Sequence, residues 1–153
     1  MENLVHEFIH TGWNAKVEDP GVQRCRFFDE SFTVYFTWRV MADILGEDGA
    51  QPLLQTFTNT RGYDLVPIKD FGAKDSGDLG YSIGALCLYK LSKLTGEETF
   101  DRATKQFLDK HQDIPVDFEK FCAEYQNLCP NADLEDFFQK WIYSDSYKDE
   151  LYL

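Results

Sequence analysis

The chain has 153 residues, of which 43% are hydrophobic and 16% aromatic. That suffices for one packed domain and excludes disorder as its main state. With 15 Lys and Arg against 27 Asp and Glu the formal charge is -12, which argues against nucleic acid or an anionic membrane as the main partner. No apolar run approaches the length of about 20 residues that a membrane span needs.

Residues 2 to 17 read as a first helix, with Leu4, Val5, Phe8, Ile9 and Trp13 apolar around much of its circumference, a pattern that asks for cover on more than one side. Within it stands His6-Glu7-Phe8-Ile9-His10. At 3.6 residues per turn the two histidines lie about 40° apart on one face and roughly 6 Å apart along the axis, so one metal ion is within reach of both imidazoles. Glu7 sits on the same turn, in the place of a general base beside a metal. Asp19-Pro20-Gly21 then breaks the chain. The apolar run from Phe32 through Val34, Tyr35, Phe36, Trp38, Val40, Met41 and Ile44 to Leu45 predicts a second, largely buried helix from about Asp29. Asp29 and Glu30 open it. Either is favoured there by the helix N-terminus, and either can serve as the third protein ligand that a zinc site with an open fourth position requires.

Gly46-Glu47-Asp48-Gly49 reads as a loop, and Pro52, Leu53, Leu54 and Phe57 as a third helix ending near Arg61-Gly62. The stretch from Tyr63 to Asp78 loses periodicity and reads as a long connection, of the kind that is often functional, delivering Tyr81. Helices are expected over residues 80–95, closed by Gly96, and over residues 97–112, ending at His111, which sits in no metal motif. Another is expected from Pro115 to Pro130, and a last one around Leu134, Phe137, Phe138, Trp141 and Ile142. The acidic tail from Ser144 is expected to fray. Cys25, Cys87, Cys122 and Cys129 form no C-x-x-C pair and read as reduced, mostly buried thiols. No signal peptide precedes the motif, and the compartment is left open. The fold class is all-α, a single helical domain over residues 1–153.

Taken together, His6-Glu7-Phe8-Ile9-His10, Trp13-Asn14, Asp29-Glu30-Ser31-Phe32, Tyr81-Ser82-Ile83-Gly84-Ala85 and Asp133-Leu134-Glu135-Asp136-Phe137-Phe138-Gln139-Lys140-Trp141 resemble the gluzincin metallopeptidases. The likeness is to the aminopeptidase N family and the related glycyl aminopeptidase family, and it covers most of the chain. It implies zinc held by His6, His10 and Glu30, with Glu7 as general base and Tyr81 as the hydroxyl that stabilises the transition state of peptide hydrolysis. The chain departs from the family in three places: one residue more than usual separates His10 from Glu30, which would put Asp29 at the usual spacing; Ile83 stands where many members have lysine; and Gly12 spreads the usual His-x-Trp. The extra residue is expected at Asp19-Pro20-Gly21.

In such peptidases a β-rich subdomain precedes the zinc helix and carries the wall on which substrate is laid. The resemblance therefore implies the helical half of a larger catalytic domain, whose isolated form hydrolyses peptides weakly or not at all and self-associates weakly through its first helix. A catalytically inactive zinc-binding or protein-interaction helical domain is the alternative, and a chelator's effect on cleavage as against partner binding separates the two.

Overall fold

The computed structural model describes residues 1–12, 26–72, 76–111 and 116–153. Seven α-helices and no strand occur among these residues: α1 (Glu2–Gly12), α2 (Phe32–Leu45), α3 (Glu47–Gln55), α4 (Ile83–Thr95), α5 (Glu97–His111), α6 (Phe118–Leu128) and α7 (Glu135–Trp141). The all-α expectation holds.

The core is aromatic. Phe27, Phe28, Phe118, Phe121 and Tyr125 pack mainly edge-on or tilted, with centroids 4.8 Å apart for Phe28 and Phe118 and 4.5 Å for Phe121 and Tyr125. Such ring pairs add specific geometry to the burial of large apolar areas. Phe27 and Phe28 belong to a single π-helical turn, Phe27–Ser31, that leads into α2. Periodicity predicted one helix from Asp29; the π turn instead winds the chain wider just where Asp29 and Glu30 stand. Its two phenylalanines face the core, so the two acids are held by a rigid base.

Two glycines set the distance between this turn and the segment carrying Tyr81. A Cβ on Gly84 would lie 2.0 Å from Ser31 Oγ, and one on Gly80 would lie 2.7 Å from Arg26 Cβ. With both positions bare, α4 and the 3₁₀ turn Ser76–Tyr81 close onto the π turn, and Ser31 Oγ donates to the Gly80 carbonyl at 2.8 Å.

Several element limits differ from expectation. Residues 47–49 are the first turn of α3 rather than loop, because Gly46, at φ 77°, makes the corner alone and Glu47 and Asp48 suit a helix N-terminus. The same helix stops at Gln55, short of Arg61, and tightens into the 3₁₀ turn Thr56–Thr58. There Thr56 and Thr58 hydroxyls donate to the carbonyls of Leu53 and Gln55 and compete with the backbone ladder. Residues 80–82 are 3₁₀ or turn, so α4 starts at Ile83. Asp117 caps α6, accepting from Lys120 N–H at 2.7 Å. Residues 13–17, Asp19-Pro20-Gly21, Cys25 and Pro115, for which the sequence carries expectations, lie outside the described residues.

The long connection is pinned by Ile68 and Phe71, both fully buried, and by Lys69 N–H donating to Ile142 O. Past Ser144, Tyr147 is buried, stacks on Trp141 at 4.9 Å and donates its hydroxyl to Val66 O. Cys87, Cys122 and Cys129 are free thiols; burial pushes the Cys122 thiol up to about 12.

Candidate metal centre

α1 lies against α2, and its motif face meets the π turn. His6 Nε2 and His10 Nε2 are 3.1 Å apart, and Glu30 Oε2 stands 3.4 Å from the first and 3.3 Å from the second. These three side chains are the one group of convergent metal-ligating residues found among the described residues. Glu30 is buried, while both histidines are half-buried, His6 at the edge of a cleft.

The triangle is poorly explained by hydrogen bonding alone. Glu30 Oε2 is buried with no hydrogen-bond partner, although a buried carboxylate oxygen demands one. When neither imidazole carries its proton on Nε2, the two rings and the carboxylate turn lone pairs towards one point. A tetrahedral ion with ligands at about 2.0–2.1 Å sets those ligands about 3.3 Å from each other, which is the spacing found. The three residues could therefore hold a metal ion.

Around the triangle the polar partners divide cleanly. Asp29 Oδ1 is 3.2 Å from His10 Nδ1, on the far side of the ring from Nε2, and Thr33 Oγ1 is also 3.2 Å from that nitrogen. A carboxylate or hydroxyl there fixes the tautomer that leaves Nε2 bare, the usual outer support of a metal-binding histidine. Asp29 and Glu30 are thus separated by geometry: Glu30 faces both Nε2 atoms, and Asp29 faces the back of His10.

Tyr81 reaches the same place from the end of its 3₁₀ turn. Its ring stacks on His6 at 6.3 Å, and its hydroxyl accepts a hydrogen bond of 2.8 Å from Arg26 Nη1. The same nitrogen donates to Glu30 Oε1 at 3.1 Å. Burial and then the neighbouring Glu30 carboxylate push the Tyr81 phenol up to about 12, against the opposing pull of Arg26, so it keeps its proton at neutral pH. Arg26 is the site residue that sequence reasoning missed. Its only signal is the i,i+4 spacing to Glu30, which reads as an ordinary helix ion pair.

Glu7 is exposed on α1 and lines a cleft of 460 Å³ together with His6, Val34, Thr56, Arg61 and Tyr81. Every expected site residue within the described chain is therefore at one location, His6, His10 and Glu30 in mutual contact and Glu7 and Tyr81 on the adjoining wall. His111, far along the chain, is paired instead with Glu124 at 2.7 Å.

The fold and site define an all-α domain with a His₂–Glu group able to hold a metal ion. No family model and no curated protein matches the chain.

Proposed function

We propose that the chain is the helical, metal-holding part of a zinc-dependent peptidase similar to the gluzincin aminopeptidases. The observation that carries this reading is the triangle of His6, His10 and Glu30, with edges of 3.1, 3.4 and 3.3 Å around a buried carboxylate oxygen without a partner. The π turn adds support. It presents Glu30 Oε2 to both Nε2 atoms and Asp29 to the back of the His10 ring, which favours Glu30 over Asp29 as the ligand.

His6, His10 and Glu30 would hold the ion, which when bound would supply a Lewis acid for the scissile carbonyl and lower the pKa of water towards neutrality. Glu7, on the cleft wall one residue from His6, takes the proton from the attacking water and returns it to the leaving amine. The Tyr81 hydroxyl accepts from Arg26 and lies beside the Glu30 carboxylate, and in the reaction its O–H would turn from that carboxylate to the oxyanion as donor. That donation is worth roughly 3 to 4 kcal/mol if Tyr81 resembles other oxyanion donors. Arg26 is a positioning residue, tying Glu30 Oε1 so that Oε2 alone faces the imidazoles.

On α1, Leu4 and Phe8 are 76% and 75% exposed, apolar surface on the helix that carries the motif. This supports a further subdomain lying against that helix and completing the substrate wall, and with it weak or absent hydrolysis by residues 1–153 alone. The test uses the full-length natural protein. Glu7→Gln is expected to retain zinc and lose peptide hydrolysis, and Tyr81→Phe to lose it less severely; undiminished turnover in either variant removes that residue from the mechanism.

A further inference from the structure

Arg61 stands on the cleft wall with Glu7, His6 and Tyr81, and no function has been given to it so far. Three observations single it out. Its φ is 54°, and it is the one non-glycine residue with positive φ among the described residues. It shares a tight turn with Gly62, closed by Tyr63 N–H donating to Thr60 O at 3.0 Å. An L-residue with a long side chain is disfavoured in that backbone region, and such strain gathers at sites where a side chain has to be aimed.

The second observation is where the side chain goes. The guanidinium lies 5.9 Å from the centroid of the Tyr81 ring, which itself stacks on His6. The cation is therefore within a few extended residues of the imidazoles, at about 3.5 Å of chain per residue. The third is what it lacks. In a chain of charge -12, Arg61 has, like Arg102, no carboxylate within ion-pair distance among the described residues, whereas Arg26 and Arg39 are each paired with an acid. Its backbone N–H donates to Asn59 Oδ1, and among the described residues its side chain lies on the aromatic face of Tyr81.

We propose that Arg61 is a carboxylate-binding subsite, so that this site takes peptides bearing an anionic group close to the scissile bond, either an acidic side chain or a free C-terminus. The inference rests on the peptidase reading of the metal site. A planar guanidinium held on an aromatic face presents its remaining N–H groups as a fork that matches a carboxylate. Acidic substrate entering a protein of this net charge needs such a local cation, because the averaged field opposes it.

Binding to the 153-residue chain tests it without requiring turnover. Three probes carry the same succinyl hydroxamate to chelate zinc and end in alanine with a free carboxylate, in alaninamide, or in isoglutamine, whose acid is on the side chain. Calorimetry on the zinc-loaded protein is expected to find at least one carboxylate probe about fivefold tighter than the alaninamide probe at low salt, and less so at high salt. Preference for the alanine probe assigns a C-terminal carboxylate, and preference for isoglutamine a side chain. Arg61→Gln is expected to erase the difference between the acid and amide probes. Arg61→Gly should erase it too and raise Tm, since glycine suits the positive φ. Equal affinity for acid and amide probes, or a preference that survives in both variants, overturns the subsite while leaving the metal site standing. Zinc-independent binding or none by all three probes overturns the metal reading and this inference together.

Discussion

At the residue scale the site depends on one buried carboxylate and on what holds it. Glu30 is only slightly exposed, and its two oxygens have different fates: Oε1 accepts from Arg26, and Oε2 faces the imidazoles. Removing Arg26 strands a buried charge and also frees Tyr81, whose hydroxyl shares the same guanidinium nitrogen. Arg26→Met is therefore expected to destabilise the chelator-treated protein by about 1–3 kcal/mol, and by less once zinc is added to neutralise Glu30. Urea denaturation with and without zinc reads both; an equal loss in the two conditions would detach Arg26 from the metal site. That the two histidines share a face was legible from their spacing, and the resemblance pointed to Glu30 and Tyr81, which the fold brings beside them. Arg26 was not, because nothing short of the fold brings the residue just before the π turn to the hydroxyl of residue 81.

At the element scale the site depends on how close the π turn and α4 come. Helix existence was legible from apolar periodicity. The π turn was not, since one extra residue in one turn leaves the flanking apolar pattern of Phe27, Phe28 and Phe32 looking like a plain helix. The ends of α3 escaped for a local reason: a single positive-φ glycine replaced an expected loop, and threonine hydroxyls drew off the last carbonyls. Gly84 and Ser31 make the close approach testable. Gly84→Ala puts a methyl where Ser31 Oγ and Cβ would be 2.0 and 2.8 Å away, and overpacking of this kind costs about 1–3 kcal/mol. Because Ser31 follows Glu30 directly, the same change is expected to weaken zinc binding. Ser31→Gly removes both clashing atoms at the expense of its bond to Gly80 O, so the double variant is expected to recover most of the lost stability and affinity. A double-mutant cycle showing simple additivity would place the strain elsewhere.

At the scale of the whole molecule, the all-α class was legible from composition and periodicity, but which surfaces stay open was only partly so. Apolar residues all round the first helix predicted cover from more than one side, and in the structure none of its residues is buried. The acidic tail looked destined to fray because its charges mask Tyr147, which anchors it against Trp141 and the long connection. Exposed Leu4 and Phe8 predict weak self-association of residues 1–153. Sedimentation velocity over a range of concentrations should show it, and Leu4→Glu with Phe8→Lys should abolish it; a concentration-independent monomer in the unaltered chain would contradict this use of the face. The central claim is the metal itself. Protein purified without added metal and analysed for metal content is expected to carry one zinc ion per chain, lost on chelation and restored on adding zinc, and absent from Glu30→Ala, while Asp29→Ala retains it with about 10–100-fold weaker affinity. No bound metal, or full occupancy in Glu30→Ala with loss in Asp29→Ala, would contradict the account.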